Sequence, residues 1–201
     1  STVLMRVREG FPGPMYGVIT CEIRDEAQQR HGFESVSMAG EKRVIAHRSL
    51  IQSTQVVGGE FHVDADAIGS FAAREIEKGL GDPAGLAFVD EIGRMQAFSS
   101  RFMEVALRAL DAPSAVLGTL VYEPEGWSLP FRQHPQVILI EVTRENRQAL
   151  PGLLIEVYAG SAQVHALPDA GQKVVRSLLK GYLQHGQSVQ VGKIYNHALP
   201  Y

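Results

Sequence analysis

The sequence predicts an α/β fold: a mostly parallel sheet with helices on both faces, joined to a small antiparallel hairpin excursion. Three observations predict it. From about residue 64 to 157, short apolar runs alternate with stretches of helical periodicity. The runs "PAGLAFVD", "SAVLGTL" and "QVILIEV" are continuously apolar, as expected of strands covered on both faces. Upstream, residues 15–47 hold three short β-rich pieces separated by polar or glycine turns, the pattern of a hairpin or meander.

Taken in order, "STVLMRVREG" reads as a short helix with a stop at Gly10, and "FPGP" breaks the chain after it. "MYGVITCEIR" is rich in β-branched residues, "DEAQQRHG" is a polar turn, and "FESVSMAG" alternates imperfectly. "KRVIAHRS" adds one more short apolar run. Asp64 or Asp66 can cap a helix that carries Ala67, Ile68, Phe71, Ala72 and Ile76 to a stop at Gly79. After the first buried strand, Ser99 or Ser100 can cap "RFMEVALRALDA". A proline-rich loop with the single Trp precedes the third buried strand, and "RENRQALPGLLIEVYAG" begins as a helix. These elements group into one domain over residues 1–157. Residues 158–201 form a C-terminal extension with an amphipathic helix over about 170–184, whose apolar face suits packing on its own domain or self-association.

The composition excludes more than it assigns. A net charge of −3 gives no general attraction to nucleic acid or to an acidic membrane surface. One cysteine, Cys21, rules out an intrachain disulfide framework and a cysteine-rich zinc site, and favours the cytoplasm. No apolar run approaches the ~18–20 residues of a membrane span, so no membrane partner is expected. The seven histidines include no pair three or four apart, and no Gly-x-Ser-x-Gly elbow is present.

The chemistry concentrates in "GLAFVDEIGRMQAFSS", residues 85–100. Four apolar residues, Leu86 to Val89, precede Asp90 and Glu91. In phosphate-loop NTPases a buried strand of this kind ends in an Asp that holds Mg²⁺, and an adjacent Glu can orient or deprotonate the attacking water. Successive strand residues point in opposite directions, so Glu91 reaches that water only if the strand is already ending there. A strand leaving the core with solvated charges is the alternative. The complementary glycine-rich loop ending Gly-Lys-Ser or Gly-Lys-Thr occurs nowhere in the 201 residues.

Five blocks in order decide between these readings. "GVITCEIRD", "RHGFESVSMAG", "VDEIGRMQAFSSRF", "VLGTL" and "EVTRENRQALP" resemble the thermophile-type nucleoside-triphosphatase family, which includes the human cancer-related nucleoside-triphosphatase. The resemblance runs from the first residue to about Val157. It implies a P-loop NTPase-type three-layer α/β/α fold and Mg²⁺-dependent hydrolysis of nucleoside triphosphates, ATP and GTP alike. A non-catalytic binding module of the same fold and a P-loop kinase are the alternatives.

The family's first strand and phosphate loop precede everything seen here. The resemblance therefore implies that both are absent from this chain and belong immediately before Ser1. Ser1 would be the hydroxyl that ligates Mg²⁺ and Thr2 the next loop residue, with the first helix holding the phosphates at its N-terminus. The absent strand would lie beside the strand of Asp90, leaving backbone unpaired in mid-sheet; "SVQVGKIY" is a less favoured source for it. The 201 residues alone are expected to bind nucleotide poorly.

The remaining candidates follow from position. Asp90 would hold Mg²⁺ through water and Glu91 the attacking water. Arg94 stands where the family has Lys, facing phosphates or solvent, and Gln96 stands where it has Glu. Thr119 ends a buried strand at the edge where such sheets bind ligands. Arg132 lies in the proline-rich loop, as an arginine finger or a solvated cation. Arg144, Asn146 and Arg147 begin a helix near the third strand's end, where a base can lie, and capping and surface pairing explain them too.

Overall fold

The computed structural model describes residues 2–137, 139–144, 146–164 and 194–195. Helix α1 (Thr2–Gly10) buries Val3, Leu4 and Val7 on one face. Three strands follow: β1 (Met15–Arg24), β2 (Arg30–Ser37) and β3 (Lys42–His47). Two short strands, β4 (Val56–Val57) and β5 (Phe61–Val63), form a further hairpin. Its turn is built on Gly58 and Gly59, both at positive φ.

A helical rod comes next, composed of α2 (Ala65–Ala67), a π-turn (Ile68–Ala72) and α3 (Ala73–Glu77). Of the two candidate caps, Asp64 is the one used, accepting from the Ala67 amide at 2.8 Å. Strand β6 (Leu86–Ile92) carries the carboxylates. Helix α4 (Ser100–Ala109) starts at Ser99, whose hydroxyl accepts from the Phe102 amide. Strand β7 (Ala115–Leu120), a short helix α5 (Leu129–Gln133), strand β8 (Ile140–Glu141) and helix α6 (Leu150–Val164) complete the order, with β9 (Ile194–Tyr195) at the far end.

The main sheet has seven strands in the order β4-β5-β3-β2-β1-β6-β7. β1, β6 and β7 are parallel and the rest pair antiparallel. The fold class holds, but the antiparallel part is larger than the sequence pattern indicated. "VVGGEFHV" adds a hairpin of its own, in strands too short to show an alternating pattern. Where the two strands meet, Gly17 of β1 has φ +101°, and a Cβ there would collide with the Phe88 carbonyl of β6. The close approach of β1 and β6 therefore requires glycine.

Two cores sandwich this sheet. On one face Leu86 and Phe88 of β6, Ile19 of β1 and Leu117 of β7 pack with Val3, Leu4 and Val7 of α1 and Leu150, Leu154 and Val157 of α6. On the other, Ala87 and Val89 pack with Ile68, Phe71 and Ile76 of the rod and with Phe102, Val105 and Ala106 of α4. Alternation along β6 thus feeds both layers, which is why its sequence is apolar throughout. The layers are those of a three-layer α/β/α fold.

Three expectations need revision. β6 is paired on both sides, by β1 and by β7, so the strand of Asp90 is not an open edge. Among the described residues of "QVILIEV", Ile140–Glu141 forms strand, and Ile140 is buried while Leu139 stands 38% exposed. Of the candidate C-terminal strand, Ile194–Tyr195 pairs in parallel with β8 and not with β6. Helix α6 runs through the 157–158 boundary to Val164. Ser1 and the 170–184 helix lie outside the described residues.

Candidate active site at the end of β6

The site begins with a register slip. β6 and β7 run in step from Leu86↔Ala115 to Val89↔Gly118, and resume at Ile92↔Leu120. Between those pairs, Asp90 and Glu91 stand opposite the single residue Thr119, the arrangement of a β-bulge. A bulge re-aims side chains without ending the strand. The condition that the strand be ending at Glu91 is therefore met in another way.

Asp90 is 7% exposed and pairs in the β1 ladder with Ile19. The Thr119 hydroxyl, 4% exposed, donates to Asp90 Oδ1 at 2.5 Å. Both residues follow the alternation that puts Phe88 and Leu117 on the α1–α6 face of the sheet. Glu91 is half-buried. Burial first, and then the neighbouring Asp90 carboxylate, raise its pKa above the ordinary glutamate value.

Past the bulge, Gly93 lets the chain fold back tightly. A Cβ at Gly93 would lie 2.7 Å from Glu91 Oε1 and 3.1 Å from Gln96 Oε1. Gln96 is 2% exposed, and its amide Nε2 donates to the Thr20 hydroxyl of β1 at 3.2 Å. Arg94 is mostly exposed and its guanidinium meets Glu125 at 2.6 Å. Trp127 Nε1 donates to the other oxygen of that carboxylate at 2.9 Å. Burial pushes Glu125 up, but the bonds from Arg94 and Trp127 outweigh it and hold the carboxyl below its usual range.

Arg132 braces the same loop from within. It donates to the Val121 and Tyr122 carbonyls, each at 2.6 Å, and to the Ser128 hydroxyl at 3.2 Å. Thr143 and Asn146 cap one another reciprocally at the head of α6: Asn146 Oδ1 accepts from the Thr143 amide at 2.9 Å, and Thr143 Oγ1 from the Asn146 amide at 3.3 Å. Arg144, Arg147 and Thr2 are exposed. The fold thus brings Asp90, Glu91 and Thr119 together at the bulge, ties Arg94 to Glu125, and fixes Arg132 of α5 on the segment that follows β7, while Asn146 exchanges bonds with Thr143 ahead of α6. The Gln96–Thr20 bond and the Arg94–Glu125 pair had no sequence counterpart, because each joins residues far apart in the chain.

The donor chemistry suits a hard divalent cation. Mg²⁺ binds through one or two carboxylates and takes phosphates and water for its other positions. Asp90, held by Thr119 and adjoining Glu91, offers that set. No group of three or more His, Cys, Asp or Glu converges among the described residues, so the protein's side chains do not form a closed metal cage there.

The profile of the NTPase family matches residues 1–155. The chain belongs to the NTPase family. Among its relatives in that family, the nucleoside-triphosphatase THEP1 of Thermotoga petrophila is 30% identical over 134 residues, 67% of this chain and 73% of that one. THEP1 of Thermotoga maritima is 26% identical over 141 residues, 70% and 79% of the two chains. The mouse cancer-related nucleoside-triphosphatase homolog is 26% identical over 158 residues, covering 74% and 83%. The NTPase-family fold is seen directly in the crystal structure of THEP1 from Aquifex aeolicus. It superposes with a TM-score of 0.68 at 23% identity, over 78% of this chain and 91% of that one. The solution structure of the human cancer-related nucleoside triphosphatase gives 0.60 over 78% and 89%. The fold is that of a P-loop NTPase. No helix among the described residues is long and apolar enough to cross a membrane.

Proposed function

We propose that this NTPase-family protein hydrolyses nucleoside triphosphates to diphosphate and phosphate, with Mg²⁺ and with broad base tolerance that admits ATP and GTP. One observation carries the reading: a bulge opposite Thr119 places two adjoining carboxylates, one buried and hydrogen-bonded, the other with its pKa raised, at the carboxyl end of a central parallel strand. Open α/β sheets bind ligands at that edge. The names of the relatives support the same activity.

Each side chain then has a task. Bound Mg²⁺ would neutralise charge on the triphosphate. Asp90 would hold the ion through water, and the Thr119 hydroxyl fixes the rotamer in which Asp90 can do so. Glu91 would accept a proton from the attacking water as its oxygen bonds to the γ-phosphorus and the bond to the β-phosphate oxygen breaks. A carboxylate with a raised pKa is the better base for this step. Arg94, just past the carboxylates, and Arg132, in α5, would supply positive charge toward the phosphates.

Phosphate-cradling amides and a loop lysine complete such a site. We place them in residues preceding Ser1, with Ser1 and Thr2 contributing to the nucleotide pocket. Arg144 and Asn146 would lie toward the base, and the protein would work in the cytoplasm. A Gly-rich segment ending Gly-Lys, encoded just upstream of Ser1, is expected; unrelated sequence there would overturn that placement. For the activity, phosphate release by the full-length protein from ATP, GTP, CTP and UTP, with Mg²⁺ and with EDTA, is the test. Release from all four that stops in EDTA is expected. Nucleotide binding without release would favour the non-catalytic module, and transfer to an acceptor other than water the kinase.

A further inference from the structure

The buried end of Gln96 is not explained by packing. Its Nε2 is anchored on Thr20, but Oε1 is buried without a hydrogen-bond partner. A buried amide oxygen left unpaired costs free energy. An apolar residue of the same size would avoid that cost. The oxygen is also aimed: it and Glu91 Oε1 lie 3.1 and 2.7 Å from one point, the place a side chain at Gly93 would begin. A Cβ at Gly93 would crowd both oxygens, and with glycine there the two acceptors stand near one another, that of Gln96 without a donor.

A water molecule supplies what is missing. It has two protons, and two acceptors on one side would take both. Its lone pairs would then point away from Glu91 and Gln96. We infer that Gln96 is a positioning residue: with its Nε2 anchored on the Thr20 hydroxyl, its Oε1 is the second acceptor for the water that Glu91 activates. The inference rests on the hydrolytic reading above and adds the residue that fixes the orientation of the nucleophile. Gln suits the task because it accepts a hydrogen bond without placing a third carboxylate beside Asp90 and Glu91. Glu91 alone sets one hydrogen bond and leaves the water free to rotate about it; the Gln96 oxygen removes that freedom.

The Gln96→Met variant keeps the length of the side chain and removes both amide partners. It is expected to lower kcat about tenfold to a hundredfold with KM for Mg-GTP unchanged, and without loss of melting temperature. Gln96→Glu, which keeps an acceptor oxygen at that point, is expected to retain more of kcat than Gln96→Met does. An unchanged kcat in Gln96→Met would overturn the inference, as would a fall explained by unfolding of that variant. A second measurement does not depend on turnover. A high-resolution crystal structure of the full-length protein is expected to show an ordered water within hydrogen-bond reach of both Oε1 atoms, and its loss in Gln96→Met. An empty gap in the wild type would overturn the inference. A wild type that holds the water but releases no phosphate would refute the hydrolytic reading and leave the water site standing.

Discussion

Glu75 on α3 is a buried acid and Glu91 on β6 a half-buried one, and their surroundings differ in sign. Glu75 is 4% exposed. Lys78 Nζ donates to its two oxygens at 2.7 and 2.6 Å, and Arg74 Nη2 donates at 2.9 Å. Burial raises its pKa, but these bonds and charges outweigh burial and hold the carboxyl below its usual value. Glu91 has a second carboxylate as its neighbour instead of cations, and burial and Asp90 both push it upward. A buried acid with cations supplied is a structural fixture. A half-buried acid set beside a buried one is kept for a partner that arrives, and the pair at the end of β6 is of that kind.

That contrast can be broken in four ways. Asp90→Asn should lower phosphate release by the full-length protein by about 100-fold, because the carboxylate that would hold the ion is gone. The matching Glu75→Gln should leave turnover unchanged. Second, Glu75→Ala should cost about 2 kcal/mol in urea unfolding at neutral pH, since two charge-assisted partners lose their acceptor. Glu75 has a lowered folded-state pKa. Its contribution is therefore present above the ordinary glutamate value and lost as pH falls through the lowered one, so the deficit should close in acid.

Third, Thr119→Val should reduce turnover by about tenfold with little change in stability, because it frees the rotamer of Asp90 without opening a cavity. The smallest effect runs the other way. Glu91 has a raised folded-state pKa, so its protonated form favours folding below the ordinary glutamate value, and that benefit is lost as pH rises through the raised one. In metal-free protein, Glu91→Gln should therefore raise the melting temperature by a few degrees at alkaline pH, on the order of 1 kcal/mol for a chain this long. The gain should vanish in acid.

The sequence was informative where one strand or one turn decides the outcome. Continuous apolar runs marked β6 and β7, because strands covered on both faces have no polar side. Asp64 and Ser99 were readable as caps because a cap acts within three residues of itself. The acidic pair and Thr119 were readable as strand ends. Features built by contacts across the chain were not: the bulge that aligns Asp90 and Glu91 with Thr119 depends on pairing between β6 and β7, and the Gln96–Thr20 anchor spans two strands. Arg132 shows the limit from the other side. Its loop position left an arginine finger and a solvated cation both open, and nothing local marked the bonds its guanidinium makes to the Val121 and Tyr122 carbonyls. The short hairpin of β4 and β5 went unread because strands of two and three residues have no period to detect.

The central claim is that the carboxylates at the end of β6 act on a nucleotide and do not merely end a strand. Single-turnover phosphate release and Mg-nucleotide affinity, measured together on the Glu91→Gln full-length protein, test it most directly. The account predicts release slowed about 100-fold or more while affinity stays within a few-fold of the wild type. Release at the wild-type rate would contradict it.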